Sequence, residues 1–267
     1  VEFQRKDFYS YEDFLEIMRL LRAPGGCPWD REQTHSSIRR NFLEETYEVL
    51  DAIDHDDASG MCEELGDVLM QVAFHAQIEA ERGRFTMANV VDGVARKLVY
   101  RHPHVFGDVQ ADTSQQVLAN WDVLKRREKG QRSTADAVEA VPHTLPALWR
   151  AEKIQSKTAK AGFDWTSSLQ ALDKLEEEVR ELRAALEAGQ AADAPHGIRE
   201  ELGDTLFMAA KIAQMSGVDP EDALHRACDK FDRRFRAVEE AAEKPLPECG
   251  EAELLALWND AKSHDPS

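Results

Sequence analysis

Apolar residues recur every three or four positions along most of the chain, the period of helices that turn one face inward. Ser10 followed by Asp13 resembles a capping signal, and Phe14, Ile17, Met18 and Leu21 then mark one face. Pro24, Gly25, Gly26 and Pro28 break that helix. The pattern predicts helices around Phe42–Asp54 and Met61–Glu81, the second with Leu65, Val68, Leu69, Val72 and Ala76 as its inner stripe. Thr86 caps a helix to about Tyr100, stopped by Pro103, and Thr113 or Ser114 caps another to about Glu128. Further helices fall near Leu145–Ala161, Ser168–Ala188, Ile198–Met215, Pro220–Glu243 and Glu251–Lys262, with Ala188–Gly197 as a small-residue loop. No segment alternates with period two long enough to argue a sheet, so the expected class is all-α, with short connections implying antiparallel bundles.

The chain then repeats itself. Glu44-Glu45-Thr-Tyr-Glu48 and Glu64-Leu-Gly-Asp67 recur as Glu177-Glu178-Val-Arg-Glu181 and Glu201-Leu-Gly-Asp204, at offsets of 133 and 137. The difference of four fits the longer loop after Ala188. Lys97 and Arg101 match Lys230 and Arg234 at offset 133, and Trp121 matches Trp258 at offset 137. Gly26-Cys-Pro-Trp29 corresponds loosely to Gly162-Phe-Asp-Trp165. Two homologous helical-bundle domains follow, 1–129 and 145–267, with the polar stretch 130–144 as linker.

The acids carry the chemistry. Glu178 and Glu181 share one helix face, as do Glu201 and Asp204 on the next helix. Leu172, Leu175, Val179, Leu182 and Leu186 are the expected core stripe of the first helix, and Ile198, Leu202, Leu206, Ala209 and Ala213 that of the second. Antiparallel packing then gathers four carboxylates, which raise one another's pKa unless a cation neutralises them. Hard oxygen donors suit Mg²⁺ or Mn²⁺. One such motif alone reads as a solvated face; two in order on consecutive amphipathic helices, present twice, read as a metal site. A di-iron bundle needs Glu-x-x-His on two helices, and this chain has only Glu32–His35, beside the Pro-Trp loop.

Lys230 and Arg234, four apart, can meet a phosphate chain together, although for the pair alone ordinary surface ion pairing is the better explanation. Trp258 is either a core residue or a stacking platform for a base. His102 and His104 flank Pro103 and read as structural. No Walker-type glycine loop and no Ser/His/Asp or Cys/His nucleophile arrangement is present, so phosphate must be held by metal and side chains.

Charge narrows the partners. The chain has 267 residues, with 33 Lys+Arg against 51 Asp+Glu, a net charge of −18. That balance disfavours nucleic acid and anionic membrane, but not a small polyanion bridged by metal ions. Cys27, Cys62, Cys228 and Cys249 form no CxxC pair and read as reduced thiols. With a polar N-terminus, Val1 to Ser10, and no apolar run of membrane-span length, the expected location is the cytoplasm.

The combination resembles the all-α nucleoside triphosphate pyrophosphohydrolase superfamily, and in detail its two-domain bacterial MazG family. Cys27-Pro-Trp-Asp30, Leu43-Glu-Glu-Thr-Tyr-Glu-Val-Leu50, Arg101-His-Pro-His-Val-Phe106, Ala151-Glu-Lys-Ile-Gln155, Gly162-Phe-Asp-Trp165 and Lys230-Phe-x-x-Arg234 carry the resemblance over nearly the whole chain. It implies hydrolysis of a nucleoside triphosphate to monophosphate and pyrophosphate, by attack at the α-phosphorus. It also implies Mg²⁺ with Mn²⁺ as substitute, broad tolerance of base and sugar, and a homodimer. The family's role is control and cleansing of nucleotide pools, with a link to the starvation response. By resemblance Glu178, Glu181, Glu201 and Asp204 hold the metal, and Glu177 orients or deprotonates the attacking water. Lys174, Lys230, Arg233 and Arg234 bind the triphosphate, and Trp258 packs on the base. By the same resemblance the C-terminal domain is expected to be the active one. Lys174 aligns with Asn41, so the N-terminal copy lacks that cation while keeping Glu45, Glu48, Glu64 and Asp67 as a candidate second site. Two readings of other classes are a non-catalytic helical interaction module and a di-metal redox bundle.

Overall fold

A computed structural model describes residues 3–128 and 130–265. Residue 129, where the sequence reading ends its first domain, lies outside them. Among the described residues every regular element is an α-helix, apart from one 3-10 turn at Leu246–Glu248. The chain forms two compact units, Val1–Lys125 and Arg126–Ser267.

The first unit contains α1 (Tyr11–Arg22), α2 (Pro28–Glu32), α3 (Arg39–Asp54), α4 (Ala58–Glu81), α5 (Met87–Arg101) and α6 (Pro103–Phe106). It also holds most of α7 (Ser114–Glu128). The Ser10–Asp13 signal is a true capping box, with Ser10 N–H donating to Asp13 Oδ2 at 3.0 Å and the Ser10 hydroxyl accepting from Asp13 N–H. Asp57 caps α4 by accepting from the amides of Ser59 and Gly60. A core of Met18, Ile38, Ala73, Phe74 and Ile78 joins α1 and the start of α3 to the second half of α4. Arg22 fastens the Cys-Pro-Trp loop to it. Its guanidinium lies 5.2 Å over the Phe74 ring, pairs with Glu81 at 2.8 Å, and donates to the carbonyls of Asp30 and Gln33.

The second unit contains α8 (Thr134–Glu139), α9 (Ala147–Ala159), α10 (Ser168–Glu187), α11 (Ile198–Met215), α12 (Pro220–Ala241) and α13 (Glu251–His264). The stretch expected as linker therefore carries a helix, closed by a Ser133–Asp136 capping box. Ala137 and Val141 anchor it, at 1% and 3% exposure. Polar composition concealed it because few apolar side chains, Ala137, Val138 and Val141, turn inward.

The expected inner stripes are met in part. On α10 the buried residues are Ala171, Glu178 and Ala185, seven apart, while Leu172, Val179 and Leu186 are 40%, 44% and 56% exposed. On α11 Glu201, Met208, Ala210 and Lys211 are buried, and Leu202 and Leu206 are about half exposed. On α4 Ala76 is buried but Leu65 is 51% exposed. The α10–α11 partners meet along a seam centred on alanine and acid; of the expected α10 stripe Leu175 and Leu182 are half-buried, while Leu172, Val179 and Leu186, each one residue on from a buried position, are about half exposed.

Candidate active site

The site stands on the α10–α11 hairpin. The connecting loop ends in a close approach at Gly197, where a Cβ would lie 2.5 Å from the Ala191 carbonyl oxygen and 2.6 Å from that of Ala194. No side chain fits there without moving backbone. His196 before it holds a left-handed conformation (φ 54°) and donates its N–H to Glu200 Oε2 at 2.7 Å. This turn starts α11 with Glu201 and Asp204 aimed at α10.

One oxygen each of Glu178, Glu201 and Asp204 comes within 4.8 Å of the others. Glu178 and Glu201 are 6% and 4% exposed, and Asp204 opens to solvent. Burial raises the Glu201 carboxyl above the ordinary range, helped by the charge of Glu181. Burial likewise raises Asp204, helped by Glu178. Asp204 thus faces Glu178 and Glu201 faces Glu181, as an antiparallel register requires. Of the four acids expected to converge, three do; Glu181 stays exposed at the rim and acts on Glu201 through its charge. Lys174 supplies the local cation, with Nζ 2.7 Å from Glu177 Oε1 and 2.8 Å from Glu178 Oε1. The two carboxylates raise its ammonium well above the ordinary lysine value, and it holds Glu177 below the ordinary glutamate value.

The α3–α4 hairpin repeats this register without the lysine. Glu45, Glu48 and Glu64 come within 4.8 Å of one another, with Asp67 beside Glu45. Burial raises Glu45, helped by Asp67, and burial raises Glu64, helped by Glu48. A hydrogen bond from Gln71 opposes the rise at Glu45. Glu44, the counterpart of Glu177, pairs instead with Arg40 at 2.8 Å.

The basic and aromatic residues are placed differently from the acids. Among the described residues no hydrogen bond or ion pair joins Lys230, Arg233, Arg234 or Trp258 to the carboxylate cluster. Lys230 is exposed on α12. Arg234 Nε bonds Asp265 Oδ2 at 2.8 Å, and Arg233 Nε reaches Asp265 Oδ1 at 3.4 Å. Phe231 stacks on Phe235 with centroids 6.0 Å apart, and Trp258 packs on Phe231 at 5.2 Å. In the first unit Arg101 lies 5.0 Å over the Trp121 ring and Lys125 4.8 Å over it.

Two polar groups, Lys211 and Asp265, give no sign of their role in the motifs above, and a third, His35, has partners that sequence does not show. Lys211 is 1% exposed, with Nζ 2.5 Å from Asp164 Oδ1 and 2.6 Å from Gln214 Oε1, fastening the Gly-Phe-Asp-Trp loop to α11. A lysine in an apolar helix normally reads as exposed; its repeat counterpart Phe74, at offset 137, was the signal that the position is internal. His35, of the lone Glu-x-x-His motif, bonds His75 Nδ1 at 2.7 Å and Glu79 at 2.5 Å and belongs to neither carboxylate cluster. For Asp265 the signal is spacing: it follows Trp258 by seven residues, as Glu128 follows Trp121.

Comparison with known proteins adds an independent finding. The model of the MazG nucleotide pyrophosphohydrolase domain matches twice, at residues 33–106 and 166–238. The chain is 46% identical over 226 residues to the nucleoside triphosphate pyrophosphohydrolase of Escherichia coli K12, covering 84% of this chain and 85% of that one. It is 42% identical over 258 residues to the nucleoside triphosphate pyrophosphohydrolase/pyrophosphatase MazG of Thermotoga maritima, covering 96% of each. Over 260 residues it is 43% identical to the uncharacterized protein YabN of Bacillus subtilis, covering 96% of this chain and 52% of that one.

Proposed function

The chain belongs to the MazG nucleotide pyrophosphohydrolase family, and on that premise we propose that it is a Mg²⁺-dependent enzyme that hydrolyses nucleoside triphosphates to monophosphate and pyrophosphate. The observation that carries the metal is the cluster of Glu178, Glu201 and Asp204. It contains oxygen donors only, two of its members are buried, and burial and mutual charge raise Glu201 and Asp204. Such a set is stabilised by a hard divalent cation. These three residues, with Glu181 at the rim, would hold Mg²⁺ or Mn²⁺. When bound, the ion supplies positive charge that neutralises phosphate oxygens and acidifies water.

The chain's own residues divide the rest. Glu177, kept ionised by Lys174, accepts the proton of the attacking water and fixes its direction. Lys174 spans Glu177 and Glu178 and so stands where substrate phosphate meets the acids. Lys230, Arg233 and Arg234 take the remaining phosphates, because a polyanion approaching a carboxylate cluster needs fixed cations as well as metal. Trp258 packs on the base through its π-face, which tolerates any base. That tolerance suits an enzyme that cleanses and controls nucleotide pools.

No described helix is long and apolar enough to cross a membrane, which fits a cytoplasmic enzyme. The assembly is a homodimer in this reading, supported by the half-exposed leucines of α10 and α11 and by Leu43, Tyr47 and Ile53 on α3, at 51–53% exposure. A monomeric mass by light scattering at micromolar concentration contradicts it.

The activity is tested by mixing the protein with a nucleoside triphosphate and Mg²⁺ and identifying products by phosphorus NMR. Monophosphate with pyrophosphate is expected. Diphosphate with orthophosphate would make it a different phosphohydrolase, and no turnover would leave a helical interaction module. The same assay across a panel of nucleotides ranks the substrates.

A further inference from the structure

Arg233 and Arg234, on α12, both direct their Nε atoms at the carboxylate of Asp265, at 3.4 and 2.8 Å. The Asp265 side chain is only 5% exposed and that of Arg234 13%, so this is an enclosed ion pair. A guanidinium held through Nε keeps both terminal amino groups for a second anion, and the planar fork fixes where they point. The first unit shows the alternative. There Arg101, the counterpart of Arg234, lies 5.0 Å over Trp121 and is 6% exposed. In the second unit, among the described residues, no cation lies over Trp258, and the indole packs on Phe231 instead.

We propose that Asp265 is the positioning residue of the polyphosphate site: it draws the Arg234 guanidinium off the tryptophan and presents its free fork to the leaving pyrophosphate, with Arg233 as the weaker second tie. The inference rests on the nucleotide-hydrolase reading above and extends it to a residue beyond the acid and cation motifs. An unoriented arginine still attracts phosphate by charge, but it loses the paired, directional hydrogen bonds that distinguish a fork from a point charge. Asp265 acts on binding of the pyrophosphate moiety and leaves the attacking water untouched.

The test uses the full chain with Mg²⁺, steady-state turnover of a nucleoside triphosphate, and inhibition by inorganic pyrophosphate. Asp265→Asn is expected to raise KM and the pyrophosphate inhibition constant together by about tenfold, with kcat within about threefold. Asp265→Glu restores most of the loss. In an Arg234→Ala background Asp265→Asn adds only the small part carried by the longer Arg233 tie, because the main residue it positions is gone. Should Asp265→Asn melt early, Arg234→Lys carries the test. It keeps the charge pair but removes the fork, and is expected to weaken pyrophosphate inhibition by about tenfold at an unchanged melting temperature. Unchanged or tighter pyrophosphate binding in the variants overturns the inference, as does full additivity with Arg234→Ala. Absence of turnover by the unsubstituted protein is a separate result: it defeats the hydrolase reading, and the inference with it.

Discussion

The α3–α4 and α10–α11 hairpins carry the same acids in the same register, yet differ in what surrounds them. Glu45 faces Asp67 as Glu178 faces Asp204, and Glu48 faces Glu64 as Glu181 faces Glu201. In the second hairpin Lys174 bridges Glu177 and Glu178, and Glu178 and Glu201 are buried. In the first hairpin Asn41 replaces the lysine, and the three clustered acids are half-buried or exposed. The tryptophans differ likewise: Trp121 lies under Arg101 and Lys125, whereas Trp258 meets Phe231. Carboxylates alone can attract a metal; a triphosphate also needs cations that are not already spent on the protein's own aromatic rings. The acids are common to both hairpins, and the cations and their partners are what distinguishes them.

The largest effect expected to bear on this contrast is metal removal. Excess EDTA should abolish turnover by about three orders of magnitude or more, with recovery on adding Mg²⁺ or Mn²⁺. Manganese titration followed by electron paramagnetic resonance should then show a tighter class of site that Asp204→Asn removes and a weaker class that it leaves. Full turnover in EDTA would break the account for both hairpins at once.

A smaller effect is expected at the cation. Lys174→Ala should cost about 10- to 100-fold in kcat/KM, because it leaves Glu177 without its neighbour and the phosphate without a charge-assisted contact. Asn41→Ala should stay within about twofold. Equal effects of the two substitutions, by initial-rate measurement, would remove the asymmetry on which the comparison rests.

Smallest is an effect on stability, and its sign is the test. Glu201 and Asp204 have raised values, so folding favours their neutral forms. Their contribution is fully present below the ordinary carboxylate range and is lost as pH rises through the raised values. Glu177 and Asp265, held low by Lys174 and Arg234, contribute oppositely and lose their share as pH falls. Metal-free Asp204→Asn should therefore melt about 1–3 °C higher than the parent at pH 7, a gain that vanishes toward pH 4. Saturating Mg²⁺ should reverse the order. Calorimetry at the two pH values checks this, and a lower metal-free melting point for the variant at pH 7 would show that the cluster is not strained.

Much of this was legible in the sequence, and what was not has physical causes. Helix ends came within a few residues because caps and breakers are local: Ser10 with Asp13, Pro220 and Pro103 act through neighbours in sequence. The acids were found because duplication lifted them above an acidic background. Leucine spacing marks the seam only in part. The α10–α11 hairpin closes on Ala171, Ala185 and the acids themselves, with Leu175 and Leu182 half-buried and Leu172 and Leu186 left exposed. The short helix α8 was hidden in polar sequence, and the Lys211–Asp164 and Arg234–Asp265 pairs join residues 47 and 31 positions apart, beyond any periodic signal.

The central claim, that chemistry belongs to the α10–α11 hairpin, is tested most directly by pyrophosphate release from Asp204→Ala and Asp67→Ala measured side by side. Both variants must first be shown folded by circular dichroism. The account predicts a loss of about 100-fold or more for Asp204→Ala and a rate within about twofold of the parent for Asp67→Ala. Loss of activity in Asp67→Ala with retention in Asp204→Ala would place the active site on the α3–α4 hairpin and contradict it.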